Sequence, residues 1–382
     1  MENYTGVGQF DFQILRFTNQ LKHQYSEVRE DLKVISYSIY DFESWYQWWY
    51  KKAQEYEKSN LLELAMTYYR ASLFYLSFSD SRKQDAYQCF KRCFNRYYQD
   101  KNLIYLSIPY KSAKLPAVSI PYTGATKTLL VIGGFDSFME ELVNWFYPLQ
   151  SQIKMNLLLF DGPGQGSVPF QHLYFESDYE KVVTTILDYT HLDEVDAIGI
   201  SWGGYFVLRS AAFEKRIKRC ICFDIFYSGN DALQLQVRPP EYLFLRMILF
   251  LKQKKFINWV ITNRAQNNVD LKWMLQHGLD ITGEKNGYDF IKNIAHHHLR
   301  SALPLITQEC LLLAGSKDRY VPQKRLKDMT KELIQAKRVV TKLFTEKTGG
   351  ALHCQIDDIK PALEEITAFL TSRSLNVAHN KK

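Results

Sequence analysis

Several common motifs are absent from this 382-residue sequence, and each absence excludes a class of protein. The six cysteines form no CxxC pair, and their apolar neighbours predict buried, reduced thiols. Neither GxGxxG nor GxxxxGK[ST] is present, which excludes the common phosphate-binding loops. The first residues, MENYTGVGQFDFQILRF, lack a basic segment followed by an apolar one, so we expect no signal peptide and a cytoplasmic protein.

Strong charge of one sign and long apolar runs are also missing. The net charge of +7 is mild for this length, and no basic patch accompanies a nucleic-acid-binding motif, so we expect no nucleic-acid partner. The most apolar stretch outside the predicted strands, EYLFLRMILFLKQKKF (241–256), is interrupted by Arg246. It is shorter than the ~20 apolar residues that span a bilayer. It favours a lid or core helix over a membrane-surface helix.

Three consecutive histidines occur in AHHHL (295–299). Neighbouring positions of a helix point in different directions, so the three rings would not converge on one ion. We therefore expect a surface or lid position for this segment and no metal site.

The first hundred residues are rich in aromatic side chains and lack strand signals. In residues 41–100, apolar and aromatic residues recur at spacings of three and four, which is typical of packed helices. Trp45, Trp48 and Trp49 are interpreted as helix-packing residues rather than a ligand cage. We expect an N-terminal helical domain over 1–100.

After residue 101 the pattern changes to short, continuous apolar runs separated by helical segments. Such runs indicate strands buried on both faces. The strand–helix alternation predicts an α/β fold with a mostly parallel central sheet and helices on both faces. The sequence divides this core into 101–227 and 307–372, with an inserted helical lid over 228–306 and a flexible tail over 373–382. The predicted core strands are TLLVIGG (128–134), MNLLLFDGPGQG (155–166), VDAIGIS (195–201), RCICFDIF (219–226), ECLLLAGSKD (309–318) and RVVTKLFTE (338–346).

A candidate nucleophile lies in GISWG (199–203), between a predicted strand and a predicted helix. This context is that of a nucleophile elbow, in which a tight turn projects Ser201 above the sheet. Glycines at 199 and 203 leave room for the neighbouring strand and helix. The alternative is that these small residues only allow close packing.

Two aspartates compete for the role of the acid that orients a catalytic histidine. Asp318 lies in the polar turn LLLAGSKDRYVP, just past a buried strand and before Pro322. Asp224 ends the preceding strand in CICFDIF, among apolar residues. We favour Asp318 because a carboxylate in an open turn can hold the histidine tautomer and stabilise its protonated form.

His353, in KTGGALHCQID, is the candidate general base. It follows the last predicted strand in a glycine-containing loop, and ligands of parallel sheets bind beyond the carboxyl ends of the strands. The chain order Ser201, Asp318, His353 is the serine–acid–histidine order of α/β-hydrolases.

The loop VIGGFDSFMEE (131–141) completes the predicted site. Gly133 and Gly134 allow a close turn that presents the backbone N–H of Phe135 beside the N–H of Trp202. Two such donors would stabilise the negative charge of a tetrahedral intermediate. The alternative is a glycine-rich loop without a ligand.

Together these motifs, with IPYKSAKLPAVSIPY, FDGPGQG and the helical WWYKKAQEYEKSN and YYRASLFY, resemble the α/β-hydrolase branch of dihydroxypseudooxynicotine hydrolase and the FrsA-like esterases. The resemblance covers most of 40–372 and is weakest in the lid. It implies a Ser201–Asp318–His353 triad, no cofactor, no metal and a homodimer formed by the helical domain. It also implies that Asp136 contacts substrate. One departure is CQIDD after the histidine, where relatives often have CQxGN.

We therefore expect a serine hydrolase that acts on an ester-like carbonyl of a small, apolar or aromatic molecule. The alternative on the same scaffold is hydrolysis of a carbon–carbon bond in a ketone or β-diketone, with Asp136 or Glu140 assisting. A third hypothesis is a catalytically silent binding protein, since the fold alone does not guarantee activity.

Overall fold

A computed structural model describes residues 3–372, so the predicted tail 373–382 lies outside the described residues. The chain begins with helices that precede the first strand. Their bounds are α1 (Gly8–Thr18), α2 (Ser26–Ser38), α3 (Phe42–Lys58), α4 (Leu62–Ser72) and α5 (Ser81–Tyr97). A 3₁₀ turn, Leu21–His23, separates α1 from α2.

Aromatic packing holds these helices together. Trp45 and Trp49 in α3 are buried, with ring centroids 5.4 Å apart, and Trp45 also lies edge-on to Tyr75 at 4.9 Å. The indole N–H of Trp45 donates to the carbonyl of Ala71, at 2.7 Å. The side chain of Asp41 caps the start of α3 by accepting from a backbone N–H. These contacts make the tryptophans part of the helix core.

Within the described residues, eight strands form one sheet in the order β1-β2-β4-β3-β5-β6-β7-β8. β1 and β2 pair antiparallel, as do β2 and β4, and all other neighbours are parallel. This confirms the predicted mostly parallel sheet. The strands are β1 (Ile104–Tyr110), β2 (Ala113–Ile120), β3 (Thr128–Ile132), β4 (Asn156–Phe160), β5 (Val195–Ile200), β6 (Ile217–Phe223), β7 (Glu309–Gly315) and β8 (Arg338–Phe344).

Every residue of β3, β5 and β7 is buried, so both faces of the central sheet are covered. Helix α9 packs on β5 and β6, and α16 packs on β7. The connecting helices are α6 (Met139–Phe146), α7 (Gln150–Ile153), α8 (Glu180–Tyr189), α9 (Gly203–Phe213), α15 (Lys324–Glu332) and α16 (Lys360–Thr371). Short 3₁₀ turns occur at Val168–Gln171, Leu303–Leu305 and His353–Gln355.

A helical segment separates β6 from β7, within the range 228–306 that we call the lid. Its helices are α10 (Gly229–Leu235), α11 (Pro239–Phe250), α12 (Lys254–Gln266), α13 (Val269–Thr282) and α14 (Gly287–Ala295). Among the helices of residues 3–372, none combines the length and apolar character needed to cross a bilayer.

Buried charges join the N-terminal helices to the sheet domain. Glu141 in α6 accepts from Arg16 of α1 and from Arg70 of α4, each at 2.8 Å. Arg16 also pairs with Asp136, in the loop after β3, at 2.8 Å. All four side chains are largely buried, so removal of one partner leaves an unpaired charge in a medium of low polarity.

This arrangement predicts that Arg70→Met lowers the free energy of unfolding by about 3–5 kcal/mol, because it leaves Glu141 buried with one cation fewer. Urea denaturation followed by circular dichroism measures the loss. Arg82→Met is the matched control, because Arg82 also binds two carboxylates, Asp80 and Glu43, but at the surface. Its cost should not exceed about 1 kcal/mol. Equal losses for the two variants would contradict the prediction.

Candidate active site

Ser201 occupies a sharp turn between the end of β5 and the start of α9. Its φ of +58° lies in the left-handed region that L-residues rarely adopt. The Ser201 N–H donates to the carbonyl of Phe223 at 2.7 Å, which fixes the turn to the end of β6. Gly199 is required for this geometry, because a Cβ there would overlap the carbonyl of Gly203. The turn has the form of a nucleophile elbow.

The structure brings Ser201, His353 and Asp318 into one hydrogen-bonded row. The Ser201 hydroxyl lies 2.8 Å from His353 Nε2, and His353 Nδ1 lies 2.7 Å from Asp318 Oδ2. The other carboxylate oxygen of Asp318 accepts from the backbone N–H groups of Tyr320 and Val321, at 2.7 and 2.8 Å. Ser201 and His353 are more than a hundred residues apart in the chain. Three distant chain segments therefore meet at one edge of the sheet.

The loop that carries His353 is fixed from its far side. Both carboxylate oxygens of Asp357 accept backbone N–H groups of the loop, from Ala351 and Leu352, each at 2.9 Å. Asp357 belongs to the CQIDD segment that departs from the family pattern. The departure thus supplies an acceptor pair that holds the histidine loop in place.

A second carboxylate faces the same imidazole nitrogen. Asp224 Oδ2 lies 3.2 Å from His353 Nδ1 and accepts the backbone N–H of Cys354 at 2.7 Å. Asp224 is fully buried, and its Oδ1 has no hydrogen-bond partner among the described residues. The shorter distance and the two backbone donors favour Asp318 as the histidine's partner.

The two acids differ in protonation. Burial raises the pKa of Asp224 to about 7, and repulsion from Asp318 adds to this effect. Burial opposes ionisation of Asp318 too, but the charge of His353 and its hydrogen bonds hold the pKa of Asp318 below its usual range. For His353, burial lowers the pKa, and the charge of Asp318 outweighs it and raises the pKa well above its usual value.

Asp224, His353 and Cys354 lie close enough for one ligand atom from each to fall within 4.8 Å of the others. Burial raises the pKa of the Cys354 thiol to about 11, and the thiol contacts the carbonyl of Phe223 at 3.6 Å. A protonated thiol is a poor metal ligand, and the other groups already bind each other. We assign a hydrogen-bonding role to this group.

The loop 133–136 lies directly against the elbow. A Cβ on Gly134 would stand 2.7 Å from the carbonyl oxygen of Ile200 and 3.2 Å from the nitrogen of Trp202. Within residues 3–372, neither the Phe135 N–H nor the Trp202 N–H donates a hydrogen bond to the protein. The rings of Phe135 and Trp202 stack at 5.3 Å. Two free backbone donors therefore flank Ser201.

Every carbonyl of the loop 133–136 accepts a hydrogen bond from a distant side chain. The donors come from the sheet domain, the lid and the N-terminal helices. The bonds are Gln165 Nε2 to Gly133 O (2.6 Å) and Gly134 O (3.0 Å), His277 Nε2 to Phe135 O (3.0 Å), and Arg70 Nη2 to Asp136 O (2.7 Å).

Two buried lid histidines hold the residues beside Ser201, and sequence reasoning missed both roles. His277 binds the Phe135 carbonyl, and His297 Nδ1 accepts the indole N–H of Trp202 at 3.1 Å. Burial lowers the pKa of His277 to about 4 and that of His297 to about 3, so both rings are neutral. Of the two positions expected for this segment, surface or lid, His297 takes one within the lid, where its ring is only 1% exposed.

The sequence carried a signal for His277 alone. It shares the buried face of α13 with Trp273, Met274 and Ile281, at helical spacing, and a histidine on such a face needs a polar partner. The position of His297 follows from tertiary contacts, because the flanking His296 and His298 are exposed.

Asp136 and Glu140, the two acids that could assist carbon–carbon bond hydrolysis, lie in different surroundings. Asp136 lines the cavity at Ser201, and Arg16 pairs with its carboxylate. Burial opposes its ionisation, but Arg16 and Arg70 hold its pKa below the usual range. Glu140 instead accepts from the hydroxyl of Tyr87 at 2.9 Å and does not line the cavity. Burial raises its pKa.

The cavity at Ser201 lies where the N-terminal helices, the sheet and the lid meet. Its wall is mainly aromatic and apolar, with Arg16, Asp136 and Glu141 as the charged exceptions on one side. The apolar part of the wall consists of Phe12, Phe135, Leu142, Trp145, Ile200, Trp202, Phe226, Ala232, Trp273, Met274, Phe290, Ile294, Tyr320 and Ile356.

Similar proteins of known sequence include fungal hydrolases. Hydrolase acrC of Aspergillus aculeatus is 26% identical over 365 residues, covering 83% of this chain and 84% of that protein. 20-Hydroxy-prefusarin hydrolase FUS2 of Gibberella moniliformis is 28% identical over 355 residues, covering 81% and 82%.

Solved structures resemble this one at the level of the fold. 2,6-Dihydroxy-pseudo-oxynicotine hydrolase superposes with a TM-score of 0.63 at 21% identity, over 85% of this chain and 87% of that chain. AbyA5 gives a TM-score of 0.68 at 14% identity, over 92% and 94%. The sequence model of the alpha/beta hydrolase fold matches residues 127–357. That match spans more than half of the chain and confirms the resemblance read from the motifs: this protein belongs to the α/β-hydrolase family.

Proposed function

We propose that this α/β-hydrolase cleaves an ester-like carbonyl compound through an acyl-enzyme. His353 Nε2 takes the proton of the Ser201 hydroxyl as the oxygen attacks the carbonyl carbon. Asp318 accepts the Nδ1–H and stabilises the imidazolium that forms. The N–H groups of Phe135 and Trp202 donate to the oxyanion.

The tetrahedral intermediate then collapses to the acyl-enzyme, and hydrolysis of the acyl-enzyme returns each proton to its starting place. His353 gives its proton to the leaving oxygen as the carbon–oxygen bond breaks, and the acyl group stays on Ser201. A water molecule, deprotonated by His353, attacks the acyl carbon, and the proton returns to the Ser201 oxygen as the acid leaves. No step needs a metal or cofactor.

The observation that carries this proposal is the pair of distances at His353, 2.8 Å to the Ser201 hydroxyl and 2.7 Å to Asp318. Both lie within the range expected of a nucleophile–base–acid row. Support for the oxyanion role comes from the two unpartnered N–H groups. The aromatic wall favours a substrate with an apolar or aromatic body.

We expect Ser201→Ala to abolish ester hydrolysis and labelling by a fluorophosphonate probe, because no other group in the row can form the acyl-enzyme. Turnover of p-nitrophenyl esters of several chain lengths measures the first loss, and gel fluorescence measures the second. Circular dichroism should show that the variant is folded. Ser210→Ala is the matched control, because Ser210 is a buried serine of α9 whose hydroxyl has no hydrogen-bond partner among the described residues, so the labelling should stay intact.

Two results would redirect this proposal. Cleavage of an aromatic β-diketone without turnover of any ester would replace it with carbon–carbon bond hydrolysis. Absence of labelling in folded wild-type protein, with no turnover, would support a silent binding protein. Product identification by mass spectrometry distinguishes the two.

The two acids should differ in their effect on turnover. Asp318→Asn is expected to lower kcat by about 10²–10⁴-fold, because the amide no longer stabilises the imidazolium. Asp224→Asn should lower kcat by less than about 10-fold, because an amide oxygen there can still accept the Cys354 N–H. A larger loss for Asp224→Asn would contradict the choice of Asp318.

The pH profile should follow from the charge on Asp318. The base must be neutral, and Asp318 holds the pKa of His353 above 6.5 against the effect of burial, so kcat/KM should rise with pH through a midpoint above 6.5. In Asp318→Asn the negative charge is gone, the pKa of His353 falls, and the midpoint should move to lower pH. An unmoved midpoint would show that Asp318 does not set it.

Gly134→Ala tests the oxyanion loop while it keeps every triad side chain. The added methyl would stand 2.7 Å from the carbonyl oxygen of Ile200, 3.0 Å from the Cβ of Ser201 and 3.2 Å from the nitrogen of Trp202, so the loop must move away from the elbow. We expect kcat to fall by about 10²–10³-fold, as for loss of an oxyanion donor. Gly8→Ala is the control, since a Cβ there meets nothing within 4 Å. Unchanged kcat in Gly134→Ala would exclude the role.

A further inference from the structure

Helix α11 is apolar on opposite sides, although it lies at the protein surface. Phe244, Leu245 and Ile248 line a cavity of about 560 Å³ beneath it. Leu243 and Phe250 are exposed by 68% and 83%. Among the residues of α11, all of which the structure describes, only Ile248 is buried. A helix that is hydrophobic all round normally lies in a core or in lipid, so the outer side of α11 lacks a partner.

The exposed apolar surface continues onto α12. Phe256 contacts the ring of Phe244, with centroids 6.2 Å apart, and stacks with Trp259 at 6.0 Å. Trp259 is itself 63% exposed. α11, α12 and the turn between them, residues 239–266, form what we call the lid hairpin. A contiguous apolar patch of this kind marks an interaction surface.

The charge of the lid hairpin indicates what the patch binds. Residues 239–266 contain five basic side chains and one acidic one, Glu241. Glu241 is paired with Arg264, and Lys254 is paired with Asp289 of α14. The remaining basic residues, Arg246, Lys252 and Lys255, form no ion pair within residues 3–372. The patch is therefore bordered by uncompensated positive charge.

We propose that the lid hairpin docks on an anionic phospholipid surface. Its apolar and aromatic side chains would enter the interface, while the lysines reach the phosphate and carboxylate groups of the lipids. Helices of 12 and 13 residues suit a position in the plane of the interface. A second copy of this chain fits less well, because a two-fold contact sets Arg246, Lys252 and Lys255 against the same charges.

The cavity beneath the lid hairpin extends towards the candidate active site. Met274 and Phe290 line both this cavity and the cavity at Ser201. The inner side of the hairpin therefore offers an apolar space to a molecule that leaves the lipid. The docking does not depend on the proposed hydrolysis, whereas delivery of a substrate to Ser201 does.

Co-sedimentation with vesicles tests the docking without any substrate. The wild-type protein should bind phosphatidylcholine vesicles that contain about 30% phosphatidylserine and should bind pure phosphatidylcholine vesicles at least ~10-fold more weakly. Raising the salt from about 0.1 M to about 0.5 M should weaken the binding, because the charges are screened.

Two sets of variants locate the contact. The triple variant Leu243→Ser, Met247→Ser, Phe250→Ser and the double variant Lys252→Glu, Lys255→Glu should each bind at least ~10-fold more weakly. The matched control, Tyr37→Ser, Tyr40→Ser, Ile334→Ser, replaces three side chains elsewhere that are at least 73% exposed and should bind as the wild type does. Fluorophosphonate labelling and circular dichroism check that each variant is folded.

Trp259 provides a direct readout of insertion. Brominated lipids in the vesicle should quench its emission, and Trp259→Phe should lose that response. Failure of the wild type to bind anionic vesicles would overturn the proposal. So would a dimer in analytical ultracentrifugation that the triple variant converts to monomer, because the patch would then be an interface between copies. Loss of ester turnover with intact vesicle binding would refute only the hydrolysis.

Discussion

The loop after β3 depends on hydrogen bonds to its backbone carbonyls. The Phe135 N–H stays free beside Ser201, and the Gly134 N–H donates to the Ser137 hydroxyl at 2.8 Å. The carbonyls of this buried loop therefore need partners elsewhere, because each unpaired one costs about 1–3 kcal/mol. The partners are Gln165 of the sheet domain, Arg70 of the N-terminal helices and His277 of the lid. All three parts of the chain are therefore needed to build one short loop, and the accessory helices are structural components of the site.

The charges of Arg70, His277 and His297 suit the proposed oxyanion site. Arg70 is cationic, and Glu141 balances it directly, so it adds little net field at the loop. His277 is neutral because burial keeps its pKa near 4, and it donates through a fixed tautomer. His297 is neutral for the same reason and accepts from Trp202. The lid thus fixes both residues that flank the nucleophile by hydrogen bonds that stay unchanged around neutral pH.

The sequence predicts those features of the fold and the site that depend on residues close together in the chain. Continuous apolar runs identified the strands, and the spacing of Gly199, Ser201 and Gly203 identified the elbow. Parallel strands end at one edge, so the meeting of positions 201, 318 and 353 followed from strand order. The roles of Arg70, His277 and His297 did not follow, because each depends on a contact across sixty residues or more. Glu140 was considered as an assisting residue, but its side chain faces Tyr87, whereas that of Glu141, the next residue of α6, lines the cavity. A difference of one helix position is not readable from the sequence.

The two acids beside His353, Asp318 and Asp224, couple the protonation of the imidazole to their own. Rising pH removes the proton of His353, but it also ionises Asp224, whose charge favours keeping that proton. With Asp318 ionised and Asp224 protonated, an imidazolium at 353 leaves the buried cluster neutral, which avoids the cost of an uncompensated charge. Asp224 loses its proton near pH 7, and the cluster then gains a second negative charge beside Nδ1. That charge raises the affinity of His353 for its proton just as rising pH removes it. The titrations of the three groups are therefore coupled, and a single midpoint belongs to the cluster rather than to the imidazole alone.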